Sequence, residues 1–302
     1  MFTIRNFHTH DLIPYVQLVN EIDEVDGLGK STSVAQFKQR LEQPGYNWDE
    51  DLILAEIDSL IVGYADMVRE LEIGRVILDI AVRSTYRGRG IGSRLLESDI
   101  DHGRKLGAKV IHIPIAQGVQ PGEHFVRKRG FRVTRRHWQM SLTEYGVGAL
   151  QIPSGFELRH FRPGDEESLC LLQNRVFTGS WGFRPNTVEE IRYLVNTGWC
   201  RPDGILFICE GQSKVGYCWM MDHPIDKKKG YIRMMGINPI YRDQGLGKAI
   251  LVAGIKHLKK CGKKELELLV DSRNQSAKRL YQSVGFQKKG VTLWYQRNLC
   301  GY

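Results

Sequence analysis

The sequence predicts an α/β protein, α+β in the broader sense, made of two similar domains that each carry a mixed β-sheet flanked by helices. Three observations support this fold class. The chain has 302 residues, enough for two domains of about 150 residues each. Strand-like and helix-like stretches alternate along each half. A set of motifs from the first half also returns in the second half at an almost constant spacing.

The repeat is clearest at two glycine-rich loops. Arg87-Gly88-Arg89-Gly90-Ile91-Gly92 returns 155 residues later as Arg242-Asp243-Gln244-Gly245-Leu246-Gly247, and Gly130-Phe131 returns as Gly285-Phe286 at the same offset. Residues 2–7 return as 156–161 at an offset of 154. An offset this steady indicates a duplicated domain. We therefore expect domains at 1–145 and 154–302, with a linker within 143–153.

Each element follows from its local pattern: apolar residues with period two predict strands, and apolar residues at helical spacing predict helices. In the first half this predicts strands at 2–5, 52–56, 60–66, 76–82, 110–115 and 132–142, and helices from Asp11 and at 34–41, 90–106 and 123–129. Asp58-Ser59 between two apolar runs indicates a hairpin. The second half repeats the order with strands at 156–161, 205–210, 214–221, 231–237, 265–270 and 291–297, and helices at 165–176, 245–260 and 276–283.

The two glycine loops each follow a predicted strand and open a predicted helix. Such a loop directs backbone N–H groups outward at the positive end of a helix dipole, which suits a phosphate. In the second half the candidate phosphate-binding residues are Arg242, Gln244, Gly245, Leu246, Gly247 and Lys248. The alternative is a helix entry that binds no ligand, because a Gly-x-Gly before a helix is a weak signal alone.

A companion motif strengthens the first interpretation. Asn274, Ala277, Tyr281, Gly285 and Phe286 follow the strand at 265–270. Together with the glycine loop before them, these residues resemble the GNAT superfamily of N-acetyltransferases. The resemblance implies the GNAT fold twice and acetyl-CoA as the co-substrate. It implies the transfer of an acetyl group to a primary amine of a small molecule or peptide.

The resemblance also implies roles for residues of the second half. Backbone N–H groups of Met235, Gly236 and Ile237 would polarise the acetyl carbonyl, and Tyr281 would protonate the departing thiolate. Asn274 would bind the cofactor arm. The alternatives are a Tyr281 that only packs on its helix and an Asn274 that only caps one.

The first half departs from this pattern. Its loop residues Arg87, Gly88, Arg89, Gly90 and Gly92 are intact and are candidates for a second CoA phosphate site, but Val126 and Val119 stand where Tyr281 and Asn274 stand in the second half. We therefore expect a non-catalytic first domain and an active site in the C-terminal domain. In architecture, this tandem arrangement resembles the mycothiol synthase group of the superfamily. The weaker alternative is catalysis in the first domain with a different acid.

The general base and the acceptor stay open. Glu267, Glu210, Asp222 and His223 are candidate bases, and Glu267 alternates with leucines in a way that predicts an outward-facing side chain. The variable segment from Phe177 to Pro185, with Trp181, Phe183 and Arg184, is expected either to line the acceptor pocket or to pack beneath a helix. Trp199, Cys200 and Arg201 extend this candidate set.

Composition limits the other classes of function. The net charge of +9 permits nucleic-acid binding, but no interleaved aromatic and basic module accompanies it, so nucleic acid is an unlikely partner. The six cysteines form no Cys-x-x-Cys pair, and we expect no metal. No apolar run is long enough to span a bilayer and no signal segment is evident, so we expect a cytoplasmic protein. A CoA-binding sensor or scaffold without turnover is the main alternative to an enzyme. The sequence leaves the oligomeric state open.

Overall fold

The computed structural model describes residues 1–27, 29, 31–143, 146–198, 200, 202–223 and 226–299. The chain divides into two compact units. The first contains Met1–Arg136 and the C-terminal segment from Thr292, and the second contains His137–Val291. The predicted domains at 1–145 and 154–302 follow the sequence repeat. The compact units differ from them because the last strand of each half belongs largely to the other unit.

The described part of the first unit has six strands. Its helices begin and end close to the predicted positions, except for the short helix at Trp48–Asp51, which was not predicted. The strands are β1 (Thr3–Asn6), β2 (Leu52–Ile57), β3 (Leu60–Glu70), β4 (Arg75–Val82), β5 (Val110–Ala116) and the end of β12 (Gln287–Asn298). The helices are α1 (Leu12–Asp26), α2 (Val34–Leu41), α3 (Trp48–Asp51), α4 (Ile91–Lys105) and α5 (Gln120–Arg127). The sheet is mixed, because β4 and β5 are parallel while β1 with β2, β2 with β3, β3 with β4, and β5 with β12 are antiparallel.

The second unit repeats this plan. Its strands are the second part of β6 (Arg132–Leu142), then β7 (Glu157–His160), β8 (Ile205–Glu210), β9 (Ser213–Asp222), β10 (Lys229–Ile237) and β11 (Glu265–Asp271). Its helices are α6 (Glu166–Phe177), α7 (Val188–Val195), α8 (Leu246–Lys260) and α9 (Gln275–Ser283). The parallel pair is β10 with β11, in the same place as β4 with β5. The predicted mixed sheet flanked by helices is therefore confirmed.

The sixth strand of each sheet comes from the other half of the sequence. Residues 292–298 of β12 pair with β5 in the first unit, and residues 137–142 of β6 pair with β11 in the second. Both pairings are antiparallel. The strands alternate apolar and polar residues as predicted, but alternation identifies a strand without identifying its neighbour.

The sheet of the second unit has an apolar layer on each face. One layer contains α8 and α9, and Ile250, Leu251 and Ile255 of α8 are fully buried in it. The other contains α6 and α7, with Phe207, Tyr217 and Trp219 among its buried side chains. We call these the α8 layer and the α6 layer. Successive residues of β9 enter opposite layers, as a strand between two covered faces requires.

Candidate functional site in the second unit

The parallel strands β10 and β11 separate soon after they begin. Their paired residues are Lys229 with Glu265, Gly230 with Leu266, and Tyr231 with Glu267, and no pairing is recorded beyond them in the described part of these strands. Residues 232–237 of β10 therefore lie along an opening in the sheet. Backbone groups that have lost a ladder partner are available to a ligand. Met235, Gly236 and Ile237, the predicted acetyl-binding residues, lie on this segment.

A β-bulge interrupts β10 at the start of that opening. Ile232 pairs with Met220 and Met234 pairs with Trp219, so Arg233 is an extra residue with no opposite partner on β9. In the first unit, β4 pairs with β3 without a register shift. Sequence reasoning missed the bulge, because it is defined only by the register of two strands. Bulges re-aim side chains and are often found beside active sites.

Gly236 is required by close packing at the opening. A Cβ atom at this position would lie 2.2 Å from Cγ1 of Val176 on α6. Real Cβ atoms do not approach that closely, so any side chain here would displace α6 or β10. The glycine therefore lets the helix lie directly against the strand that carries the predicted acetyl-binding amides.

The glycine loop begins α8 in the way the sequence predicts. Gly245 is the N-cap residue with φ of +79°, Asp243 has φ of +63°, and no side chain caps the helix. The first N–H groups of a helix have no intrahelical acceptor, so this 15-residue helix offers uncapped donors. Arg242 donates to the carbonyl oxygens of Ile237 and Val176, each at 3.3 Å. Its guanidinium therefore braces the loop against β10 and α6.

A cavity of about 1010 Å³ opens beside the start of α8. Two predicted phosphate-loop residues, Gly245 and Lys248, line it, whereas Tyr281 and Asn274 do not. The remaining wall comes from the predicted linker and from the end of α9, including Gly146, Val147, Gly148, Gln151, Ile152, Pro153, Gln282 and Ser283. Its volume is in the range of small-molecule and cofactor sites.

Tyr281 is buried in the α8 layer. Its ring contacts Phe286 edge to face at 6.0 Å between centroids, and only 8% of its surface is exposed. Burial, with a smaller contribution from Cys218, raises the pKa of Tyr281 above its usual value of 10. Within the described residues the hydroxyl has no hydrogen-bond partner. The group is therefore protonated at neutral pH and available as a donor.

Asn274 caps α9. Its side-chain Oδ1 accepts a hydrogen bond from the backbone N–H of Ala277 at 3.0 Å, and the side chain is exposed. The structure therefore shows the capping role that the sequence left as an alternative. Capping occupies the oxygen only, so the side-chain amide N–H groups remain available at the surface.

The candidate bases are engaged elsewhere. Glu267 is 4% exposed, which corrects the predicted outward orientation, and it lies 3.5 Å from the ammonium groups of both Lys229 and Lys289. It is buried because the side chains of Lys229, Lys289 and Gln139 contact it, and the Gln139 amide donates to its carboxylate at 3.2 Å. Asp222 forms an ion pair with Lys263 at 2.8 Å. The two remaining candidates also have partners.

The exposed Glu210 accepts a hydrogen bond from the Tyr241 hydroxyl at 2.8 Å. His223 stacks on Tyr231, and its Nδ1 accepts from the N–H of Asp226. Burial lowers the pKa of His223. None of the four candidates is recorded in contact with Tyr281.

The variable segment packs on itself and on its neighbours. The rings of Phe177 and Phe183 are 5.6 Å apart, and Trp181 contacts His137 edge to face. Arg184 forms an ion pair with Glu190 and is only partly exposed, so it is not the isolated surface cation that the sequence allowed. Cys200 accepts a hydrogen bond from the buried indole N–H of Trp219. Trp199 and Arg201 lie outside the described residues.

The first unit has the same loop geometry with different surroundings. Gly90 begins α4 with φ of +83°, and Arg87 donates to the carbonyl oxygen of Val82 as Arg242 does to Ile237. Gly88 and Arg89 precede this helix start, and Gly92 lies in its first turn. A Cβ on Gly92 would lie 3.3 Å from the Phe125 ring, whose face is covered by Arg129 at 3.8 Å.

Two valines of the first unit stand where the second unit has the predicted acid and the predicted ligand of the cofactor arm. Val126 is buried in the position equivalent to Tyr281. Val119 precedes α5 without capping it by a side chain. The first unit thus keeps the loop but has neither the phenol nor the amide of the second.

The described residues also bear on metal binding and on membrane crossing. No set of three or more His, Cys, Asp or Glu side chains in the described ranges is arranged to hold a metal ion. No described helix combines the length and the apolar character that a membrane crossing requires.

Comparison with known proteins places the same features in context. The family model described as "Acetyltransferase (GNAT) family" matches residues 22–131 and again 167–286. A mycothiol acetyltransferase of Actinosynnema mirum is 30% identical over 285 residues, covering 92% of this chain and 93% of that protein. A mycothiol acetyltransferase of Thermobispora bispora is 32% identical over 231 residues, covering 72% and 75%.

Solved structures share the fold at lower identity. A GCN5-related N-acetyltransferase from Sphaerobacter thermophilus has a TM-score of 0.77 and 22% identity, covering 99% of this chain and 96% of that one. A tandem GNAT protein from the clavulanic acid biosynthesis pathway has a TM-score of 0.81 and 13% identity, with complete coverage of both chains. At these identities the similarity establishes the fold alone.

Proposed function

Since this chain belongs to the GNAT family of acetyltransferases, we propose that it transfers an acetyl group from acetyl-CoA to a primary amine of a small molecule or peptide. The predicted family, its fold in two copies and N-acetyltransferase activity are confirmed by the family match and the named relatives. The co-substrate, the acceptor class and the location of the active site are our proposals. We place the active site in the second unit.

One observation supports this placement above the others. The second unit combines a bulged strand beside an opening in the sheet, an uncapped helix start, and a buried tyrosine with no hydrogen-bond partner in the described residues. The first unit has the uncapped helix start, but β4 has no bulge and Val126 replaces the tyrosine. Cofactor binding alone does not stabilise a transition state, so the unit that adds a candidate acid to the phosphate loop is the better candidate for catalysis.

The residues present fit the phosphates and arm of CoA. The uncapped amides of Gln244 to Gly247, Gly245 with its positive φ and the Lys248 ammonium favour an anion at the start of α8. The Lys248 backbone N–H, also a predicted donor, is used within the helix, because it donates to the Gly245 carbonyl oxygen at 3.1 Å. The adjacent cavity provides space for the nucleotide portion. Arg242 fixes the loop from behind, and the exposed amide of Asn274 is the candidate contact for the arm. When bound, acetyl-CoA supplies an activated acetyl thioester.

The chemistry assigned to the protein consists of holding a carbonyl and donating a proton. Backbone N–H groups of Met235, Gly236 and Ile237 are the candidate donors to the acetyl oxygen along the opening of the sheet. Preorganised backbone donors of this kind often make the largest contribution to acyl transfer. Tyr281 is the candidate acid for the departing sulfur, because its raised pKa keeps the proton on the phenol at neutral pH.

The first unit is proposed to be a non-catalytic copy. Arg87, Gly88, Arg89, Gly90 and Gly92 keep the phosphate-loop geometry, so CoA binding there is part of the proposal. Valine cannot donate a proton, and Val126 leaves this unit without the acid assigned to Tyr281. A cytoplasmic location is also proposed, because acetyl-CoA is available there.

A calorimetric titration of acetyl-CoA tests the proposal. The matched variants are Gly247→Glu and Gly92→Glu, which place the same carboxylate in the first turn of the corresponding helix in each unit. If only the second unit binds, the stoichiometry is about one and only Gly247→Glu abolishes it. If both units bind, the stoichiometry is about two and each variant removes one site.

Turnover then distinguishes an enzyme from a CoA-binding sensor. CoA release with a panel of amines is expected to be lost in Gly247→Glu and retained in Gly92→Glu. Binding without turnover of any amine would favour the sensor. The transferase proposal would be overturned if acetyl-CoA produced no heat of binding and no increase in melting temperature.

A further inference from the structure

Arg233 is the residue that the bulge in β10 adds. Regular alternation would send successive side chains of a strand to opposite faces. Here both Arg233 and Met234 contact the α6 layer: the Arg233 guanidinium lies 5.5 Å from the ring centroid of Trp219, and Met234 packs against the same apolar cluster. The bulge therefore brings an arginine onto the face that carries α6 and α7. The first unit has no counterpart of Arg233, because β4 pairs with β3 without an extra residue.

The guanidinium has no anionic partner in the described part of the chain. Its recorded contacts are the Trp219 ring and the sulfur of Met221, to which Nη1 donates at 3.7 Å. A thioether is a weak acceptor, so most of the five N–H donors of the guanidinium remain unsatisfied. Other arginines of this unit differ: Arg159 pairs with Asp165, and Arg184 pairs with Glu190.

The Arg233 side chain lies over the ring of Trp219 and also reaches solvent. Arg233 is exposed to solvent, yet surrounding protein desolvates it and lowers its pKa. Both properties hold for a group that has protein around it and one open side. Trp219 beneath it is 1% exposed and is held by the hydrogen bond to Cys200.

Arg233 is close to the proposed chemistry. It is two residues before Met235, the first of the predicted acetyl-binding residues. Tyr217 is fully buried in the α6 layer and pairs across the strands with Gly236, another of the predicted acetyl-binding residues. The groups recorded around this point include donors but no carboxylate.

Given the proposed function, on which this inference rests, we propose that Arg233 binds an anionic group of the acceptor. The acceptor is therefore an amine that also carries a carboxylate or a phosphate. An unpaired guanidinium beside the reaction centre repels an ammonium substrate unless a negative charge on that substrate balances it. A planar guanidinium also binds both oxygens of such a group at once, and lysine does not reproduce that geometry.

The first test compares matched acceptors. Ala-Gly against Ala-Gly amide changes the carboxylate to an amide, and glucosamine 6-phosphate against glucosamine removes a phosphate. The wild-type protein is expected to acetylate the anionic member of at least one pair with kcat/KM about 10- to 100-fold higher, the range of a charge-assisted hydrogen bond. The pair that shows the preference identifies the anion as carboxylate or phosphate.

Three variants connect this preference to the side chain. Arg233→Met is expected to remove the preference by slowing the anionic acceptor, and Arg233→Lys is expected to keep part of it. Arg192→Met on α7 is the control, because Arg192 is also exposed in this unit and no side-chain contact is recorded for it. Melting temperatures confirm that each variant is folded. A preference unchanged in Arg233→Met, or no preference in the wild type, overturns the proposal.

A binding measurement decides the case in which no acceptor of the panel is turned over. Inorganic phosphate is titrated into the acetyl-CoA-saturated protein while tryptophan fluorescence is recorded, because Trp219 lies beneath Arg233. A saturable change that Arg233→Met abolishes supports the anion site, and a response that is absent or identical in that variant overturns it. Failure of the proposed function would look different, since acetyl-CoA would then neither bind nor be consumed whatever residue stands at 233.

Discussion

Replacing Tyr281 with phenylalanine separates its catalytic role from its packing role. The hydroxyl has no hydrogen-bond partner in the described residues, and the ring keeps its contact with Phe286 at 6.0 Å in the variant. Because no hydrogen bond is lost, we expect the free energy of unfolding to change by no more than about 0.5 kcal/mol. A substitution this neutral for stability makes any loss of activity interpretable.

The expected loss of activity follows from general acid catalysis. Proton donation by a positioned group contributes about 10²- to 10⁴-fold to a rate, equivalent to about 3 to 5 kcal/mol of barrier. We expect Tyr281→Phe to lower kcat by that factor while the calorimetric affinity for acetyl-CoA stays the same. CoA release, followed with a thiol reagent and the best acceptor of the amine panel, measures kcat.

The pH profile provides a second measurement. The raised pKa of Tyr281 keeps the phenol protonated beyond pH 10, so this group should cause no loss of rate between about pH 7 and 10. An acid with the ordinary pKa would begin to lose its proton near the upper end of that range. A decline in rate near pH 9 that is present in the wild type and absent in Tyr281→Phe would contradict the shifted pKa.

Tyr295→Phe is the matched control. Tyr295 is fully buried in the first unit, and its hydroxyl donates to Glu123 at 2.7 Å. Its substitution should lower the free energy of unfolding by about 1 to 3 kcal/mol and leave the turnover of folded protein unchanged. The Tyr281 variant should therefore lose activity and keep its stability, whereas the Tyr295 variant should lose stability and keep its activity. A folded Tyr281→Phe variant with activity within about twofold of wild type would refute the proposed acid, since general acids contribute far more.

Three further predictions concern stability. Gly236→Ala should lower the free energy of unfolding, measured in urea, by about 1 to 3 kcal/mol through overpacking against Val176. Adding Val176→Ala should restore most of the lost stability. A Gly236→Ala variant as stable as the wild type would contradict the clash. Burial, with Arg75 nearby, lowers the pKa of His112 to about 4, so the unfolded state binds the proton first and stability is lost as the pH falls from about 6.5 towards 4, by up to about 3 kcal/mol. His112→Gln should flatten that part of the curve of urea midpoint against pH, and an equal slope in both proteins would exclude the assignment. Burial alone would raise the pKa of Asp165, but hydrogen bonds led by Arg159 lower it overall. The carboxylate therefore stabilises the fold above about pH 4, and this stabilisation is lost below that pH. Asp165→Asn should reduce the fall in melting temperature on acidification, and an unaltered fall would show that the Arg159–Asp165 pair contributes little.

Features that depend on neighbours in sequence were predictable. The two glycine loops, the helices they begin and the positive φ of Gly245 follow from short-range geometry, because a helix start after a strand needs a residue without a Cβ at the turn. The period-two strands and most helix bounds follow from the same local rules. The duplication was visible because Gly90 and Gly245, with their surrounding residues, keep a constant offset.

Part of the candidate site was also predictable. Tyr281 and Asn274 stand at fixed spacings from the second loop, and the sequence identified both. It could not choose between a ligand and a helix cap for Asn274, because both use the same side chain at the same position. The cap became evident only when the distance to the N–H of Ala277 was known.

Tertiary structure decided everything that depends on which distant segment becomes a neighbour. The burial of Glu267 follows from side chains of the neighbouring strands that contact it, Gln139 on β6 and Lys229 on β10. The position of Arg233 follows from a one-residue shift against β9.

The same distinction explains the exchanged sixth strands. The sequence by itself determined that 132–142 and 287–298 are strands, because alternation of apolar and polar residues is a local property. It did not determine their partners, because backbone hydrogen bonds are the same for every strand and the choice rests on the side chains that each sheet must cover. Only the tertiary structure therefore decided that β12 completes the first sheet while β6 completes the second.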